Sequence, residues 1–170
     1  PPLARGLGCG LPAVGSPSRG GAGLGVGGHD PADHAKLLRL DPASGEWAGV
    51  LYPLEAAGSG WVGLSELALH GDALYLIERD NQIGEAAQLK AVTRVKLADL
   101  APAALGTPLP VVRKEILRDL IPDLKGWGGY VQDKVEGMTI APDGTTWLVT
   151  DNDGVDDASG ETLFWSFQLD

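Results

Sequence analysis

VEGMTIAPDGTTWLVTDND, residues 135–153, decides how this chain is read. It parses as one β-hairpin: an apolar run, a Pro-Asp-Gly turn, a second apolar run and a cluster of side-chain oxygens. Asp and Gly both tolerate positive φ, so a two-residue type I′ loop at Asp143-Gly144 is expected. That loop sets Pro142 opposite Thr145 and, counted back along the ladder, Glu136 opposite Asp151. Glu136, Asp151, Asn152 and Asp153 would then gather at one sheet edge, where oxygen ligands suit a hard cation such as Ca²⁺.

A weak repeat lies upstream. SELALHGDALYLIERDN, residues 65–81, lies over residues 135–152, matching Glu66 to Glu136 and Asp80-Asn81 to Asp151-Asn152. One extra residue in the second turn absorbs the difference. A period of about 70 residues covers a hairpin, outer strands and a connector, the content of one β-propeller blade with an insertion. The near-continuous apolar run 61–69 is expected to be an innermost strand buried on both sides. The fold class is therefore all-β, antiparallel and β-propeller-like. It holds about two to three blades of a ring that needs at least about four to close. An incomplete ring leaves open sheet edges, through which self-association is expected.

The other segments fit that plan. Residues 36–40 and 46–52 flank a turn-rich loop, and residues 73–78 follow Gly71-Asp72. Residues 91–97 alternate as a half-exposed strand, with Ala91, Thr93, Val95 and Leu97 on one face. Residues 111–117 read as a strand running into a helical turn at 118–124, where Leu117, Leu120, Ile121 and Leu124 also keep helical spacing. The loop Gly126-Trp127-Gly128-Gly129-Tyr130 presents exposed aromatics. Residues 162–169 close the chain as a strand with Leu163, Trp165, Phe167 and Leu169 on one face.

Residues 1–28 differ: ten glycines, four prolines, two arginines and no acidic residue, without apolar periodicity. Such a stretch buries too little apolar surface to offset backbone entropy and is expected to be a disordered segment preceding one domain at 29–170. Its glycines are not a phosphate loop, since no strand precedes them and no GK[ST] follows. The net charge of −10 argues against a nucleic-acid footprint and against adhesion to anionic membrane. No apolar run approaches the roughly 20 residues of a membrane helix. Cys9 is the one cysteine, so there is no internal disulfide framework. The chain opens Pro-Pro and its only methionine is Met138, so it reads as a processed chain or part of a longer one.

GWVGLSELAL and LYLIERDNQIG, followed by KVEGMTIAPDGTTWLVTDNDGVDDASGET, resemble the C-terminal half of phytase-like proteins, the group described by the "esterase-like activity of phytase". The resemblance covers roughly residues 30–170 and is carried most specifically by ERDNQ, VEGM and DNDGVDD with GET. It implies a propeller-like hydrolase, bacterial and exported (secreted or periplasmic), acting on small-molecule ester or phosphate-ester substrates. A broader similarity to calcium-dependent lactonase propellers rests on the Glu-Gly opening an inner strand. It implies that Glu136 is a metal ligand facing the central channel.

The residues themselves leave two uses open for each constellation. Glu66, Asp80, Asn81, Glu136, Asp151, Asn152 and Asp153 supply the oxygens calcium takes, yet capping strand ends and turns is the commoner use of Asp and Asn. An EF-hand does not fit residues 151–162: Asp156 stands where glycine is required, and Thr162 where glutamate is. Asp156 and Asp157 read as a solvated acidic loop. No G-x-S-x-G elbow exists, Ser65 lacks the closing glycine, and His29, His34 and His70 sit at turns or beside the glycine-rich stretch. Arg79 suits a phosphate clamp, or else a local ion pair. The expectation is a metal-dependent ester or phosphoester hydrolase with no assigned catalytic residue. The alternative is a non-catalytic, calcium-stabilised binding or scaffold module.

Overall fold

The computed structural model describes residues 32–56, 58–132, 134–152 and 162–169. The expectations for the glycine-rich start, the domain boundary at 28/29, His29, Asp153, Asp156 and Asp157 lie outside the described residues. Among the described residues there are ten strands and one short α-helix: β1 (His34–Leu40), β2 (Trp47–Pro53), β3 (Val62–His70), β4 (Ala73–Asp80), β5 (Lys90–Lys96), β6 (Ala103–Ala104), β7 (Glu115–Asp119), α1 (Ile121–Lys125), β8 (Lys134–Ile140), β9 (Thr145–Asp151) and β10 (Phe164–Gln168). They form three antiparallel sheets ordered β1-β2-β6, β3-β4-β5-β7 and β8-β9-β10, and none closes on itself. The fold is all-β and propeller-like, as the repeat predicts.

The middle sheet explains why β4 is so apolar. Every residue of β4 is buried, and alternate side chains enter two cores. Ala73, Tyr75 and Ile77 join the core shared with the third sheet, around Val135, Met138, Leu148 and Trp165. Leu74 and Leu76 join the core shared with the first sheet, around Val50, Tyr52, Val95 and Val112. Strand geometry sends successive side chains to opposite faces, so a strand covered on both sides is apolar where it meets the two cores, over residues 73–77. The buried Glu78, Arg79 and Asp80 that follow are paired. This corrects two expectations. The strand buried on both sides is β4 and not residues 61–69, since β3 stays half-buried at the sheet edge. β5 is covered on both faces along most of its length and not half-exposed, with Val92 facing one core and Val95 the other.

The two hairpins occupy neighbouring sheets, with β3 and β8 side by side. Their turns differ by one residue. Gly71-Asp72 is a two-residue loop, His70 pairing with Ala73 and Gly71 at φ +57°. The second loop holds three residues, Pro142-Asp143-Gly144: the Ala141 amide donates to the Thr145 carbonyl at 2.8 Å, the Gly144 amide to the Ala141 carbonyl at 2.9 Å, and Gly144 lies at φ +85°. A three-residue loop of this kind closes a turn with one left-handed residue, the place for glycine. The expected two-residue loop is therefore wrong by one position.

A bulge moves the register further. Ile140 pairs with Thr146 and Gly137 with Val149, but Val135 pairs with Thr150 and Lys134 with Asp151. Glu136 is thus the bulged residue, and Lys134, not Glu136, stands opposite Asp151. β3 carries its own bulge at Ser65, between Leu64 paired with Glu78 and Glu66 paired with Ile77. The strand expected at 111–117 begins later. β7 runs to Asp119, whose carboxylate accepts the Ile121 amide at 3.0 Å as α1 starts, and Pro122 near its first turn needs no amide partner. In the closing strand Leu163 and Trp165 are buried in the core with Phe167 and Leu169 packed against it, as the alternation predicts.

Candidate functional site

The inner strands β3 and β8 start at the same end of the molecule, and β4 and β9 finish there. Ser65, pushed out by its bulge, donates from Oγ to the Val135 carbonyl at 2.6 Å, tying the two sheets together. The next residue of β8 is Glu136, and its Oε1 accepts from Arg79 Nη2 at 2.6 Å. Arg79 comes from β4, opposite Gly63, so one charged hydrogen bond bridges two sheets. The Arg79 side chain is buried, whereas that of Glu136 keeps 34% of its surface. The Trp61 indole lies 5.5 Å from the guanidinium carbon. Asn81 holds Trp61 in place, accepting its amide at 2.9 Å and donating its own amide to the Trp61 carbonyl at 3.1 Å. Gln82 Nε2 donates to the same Asn81 Oδ1 at 2.9 Å.

Behind this rim Asp80 is fully engaged. Its Oδ2 accepts the Gln88 and Leu89 amides at 2.7 and 2.8 Å, and its Oδ1 accepts the Gln82 amide at 3.2 Å. Lys90, with no exposed side-chain surface, sets its ammonium 3.0 Å from Asp80 Oδ1, 2.8 Å from the Asp80 carbonyl and 2.9 Å from the Gln82 carbonyl. Burial alone would raise the Asp80 carboxyl pKa. The Gln88 and Leu89 amides and the Lys90 ammonium outweigh that effect and hold it below the usual carboxylate range. The lysine thus takes the position a bound cation would have.

The seven expected ligands are not gathered equally. Glu136 lies on the seam, and Asp151 lies across the ladder from Lys134 at the same end, with Asn152 beyond it; both are exposed. Asp80 is enclosed with Lys90, and Asn81 Oδ1 is taken by two N–H donors. Glu66 accepts its neighbour Leu67's amide at 2.8 Å. Among the described residues no three of His, Cys, Asp and Glu form a metal-binding group. The six to eight oxygens of a calcium site would need donors beyond them. Ser65 gives its proton to the Val135 carbonyl, and no hydrogen bond from it to a side-chain base is present among the described residues. His34 bonds Asp33 at 2.8 Å and His70 packs edge-on to Tyr75. Neither forms a nucleophile–base pair.

Sequence reasoning missed two features. Lys90 was hidden because lysine is almost never fully buried unless paired, and its partner is fixed only by the β4–β5 register. The second is a polar cluster between the first and middle sheets. There the Tyr52 hydroxyl donates to Glu78 Oε2 at 2.8 Å and lies 2.7 Å from Thr93 Oγ1. Lys114 Nζ reaches Glu78 Oε2 at 2.6 Å and Glu55 Oε1 at 3.0 Å. Burial, reinforced by Glu78, pushes the Tyr52 pKa up. This cluster ties the two sheets together through buried Tyr52 and Glu78, with Glu55 at its exposed end. A cavity of about 440 Å³ at the opposite end of the same interface is lined mainly by leucines and prolines, Leu74 among them. Leu74 is five residues from Arg79 along β4, about 17 Å, so that cavity is separate from the charged rim.

A family model described as "Phytase-like: Esterase-like activity of phytase" matches residues 22–154, most of the chain. Comparison with curated proteins found no match, and neither did comparison with solved structures. No described helix is long and apolar enough to cross a membrane.

Proposed function

Because the chain belongs to the phytase-like family with esterase-like activity, we propose that it hydrolyses small-molecule esters or phosphate esters at the Glu136–Arg79 seam. One observation carries this reading: a partly exposed carboxylate is held at 2.6 Å by a buried guanidinium on a bulge between two rigid sheets. A carboxylate fixed in this way is pre-organised as a general base. Glu136 takes a proton from water as the water oxygen bonds to the acyl carbon or phosphorus. The bond to the alcohol oxygen breaks, and the alcohol leaves with the proton that Glu136 returns. Arg79 acts first as the positioning residue for Glu136, and in this proposal its positive charge also favours an anionic substrate at the rim.

Calcium belongs to the proposal as an ion that Asp151 and Asn152 would hold beside Glu136, with Asp153 as the further donor the sequence offers. Bound there, it would supply charge stabilisation. Export to the periplasm or the medium is part of the same proposal and is supported by the family alone. The test is release of p-nitrophenol from p-nitrophenyl acetate and p-nitrophenyl phosphate, with calcium and with chelator. Glu136→Gln is expected to lower kcat about 100-fold or more on whichever ester is cleaved. An unchanged rate in that variant would remove Glu136 from the reaction. Equal rates with calcium and chelator would remove the metal and leave the base.

A further inference from the structure

Trp61 is an exposed aromatic ring in a built position. Its residue keeps 44% of its surface, yet its backbone is fastened at both polar groups to Asn81. The ring edge lies on β3 where Gly63 has no side chain; a Cβ there would meet Trp61 Cζ3 at 2.9 Å. Gly63 is the cross-strand partner of Arg79, so the indole covers the glycine and approaches the guanidinium that holds Glu136. A large apolar surface is thereby kept in the open beside the guanidinium that holds the proposed reacting carboxylate. Tyr130 is a second exposed aromatic, held on the loop that follows β4. Tyr130 rests on Gly84, three residues beyond Asn81, with its ring 3.2 Å from where a Cβ would stand, and the Gly84 amide donates to the Val131 carbonyl at 2.8 Å.

We propose that Trp61 is a stacking platform that selects esters carrying a planar ring next to the scissile bond. The inference rests on the hydrolase reading for the position of the scissile bond, while ring binding is measurable without turnover. Aromatic surfaces stack in offset or edge-to-face geometry and bind beyond their area, and ligand sites combine such surfaces with few polar groups. An anchored indole also loses little conformational entropy on binding.

Benzyl acetate and ethyl acetate are the probes, since their alcohols are of similar acidity and only one carries a ring. Saturation-transfer NMR reads contact with the benzyl ring, and ester hydrolysis is followed in parallel. The expected result is saturation of the ring protons and a kcat/KM for benzyl acetate about tenfold above that for ethyl acetate. Trp61→Ala should abolish the saturation and level the two esters. Trp61→Phe should keep most of both effects, and Trp147→Ala, which removes an exposed indole elsewhere, should change neither. Unchanged thermal melts show that the variants fold. Absence of ring saturation in the parent, or its persistence in Trp61→Ala, overturns the platform whatever the ester chemistry does. Trp61-dependent saturation without hydrolysis of either ester supports the platform and overturns the hydrolase reading alone.

Discussion

At the scale of single residues the least expected finding is Lys90, an ammonium enclosed by the Asp80 carboxylate and two backbone carbonyls. Breaking a buried ion pair leaves one charge uncompensated, so Lys90→Met should lower stability by about 3–5 kcal/mol. Asp80→Asn with Lys90→Met should lose much less than the two single changes together. Urea melts of all four proteins check this, and strict additivity would mean that the two groups do not interact. The Asp80 pKa is held down in the folded state, so its stabilising contribution is present above the unfolded value of about 3.9 and is lost as pH falls through the folded value. The parent should therefore lose stability below about pH 4. Asp80→Asn should flatten that part of the profile. From sequence Asp80 reads as a calcium ligand, because nothing in ERDNQ shows that a lysine ten residues later turns inward.

At the scale of elements the hairpins were legible and their registers were not. Apolar runs flanking turn signals located β3, β4, β8 and β9, alternation located β10, and the repeat correctly anticipated one extra residue in the second turn. The bulge at Glu136 comes from how β8 and β9 meet and not from either strand alone, so apolar patterning does not show it. One residue in VEGM does report it. A Cβ on Gly137 would lie 2.5 Å from Val149 Cγ1, so the close approach of the strands just after the bulge requires glycine. Gly137→Ala should destabilise by about 1–3 kcal/mol through overpacking. It should also lower esterase activity by displacing Glu136 from Arg79. Adding Val149→Ala should recover part of the stability. A neutral Gly137→Ala would show that Val149 turns aside freely and that the bulge is not fixed by this contact.

At the scale of the whole molecule three sheets share two cores and none closes on itself, so among the described residues the outer strands keep hydrogen-bonding edges. β10 is the most vulnerable of them. It lies at the end of a three-stranded sheet, whereas the middle sheet has a fourth strand, β7, at the corresponding place. Its sequence FWSFQ holds no charge and no proline, the usual guards of an edge. Phe164 is exposed and stacks on Trp147 with centroids 5.2 Å apart, which adds an aromatic patch beside that edge. The chain's negative charge opposes association, but salt screens exposed charges beyond about 10 Å at 0.1 M and leaves edge hydrogen bonds and aromatic contacts intact. Self-association should therefore grow with protein concentration and with ionic strength, a dependence opposite to that of ion-pair contacts. Light scattering on column-separated samples at two salt concentrations measures it. Phe164→Lys places a charge on the edge and should shift the population toward monomer, while a change at exposed Ile116 on β7 should have the smaller effect. A monomer at every concentration and salt level would mean that the β10 edge is protected.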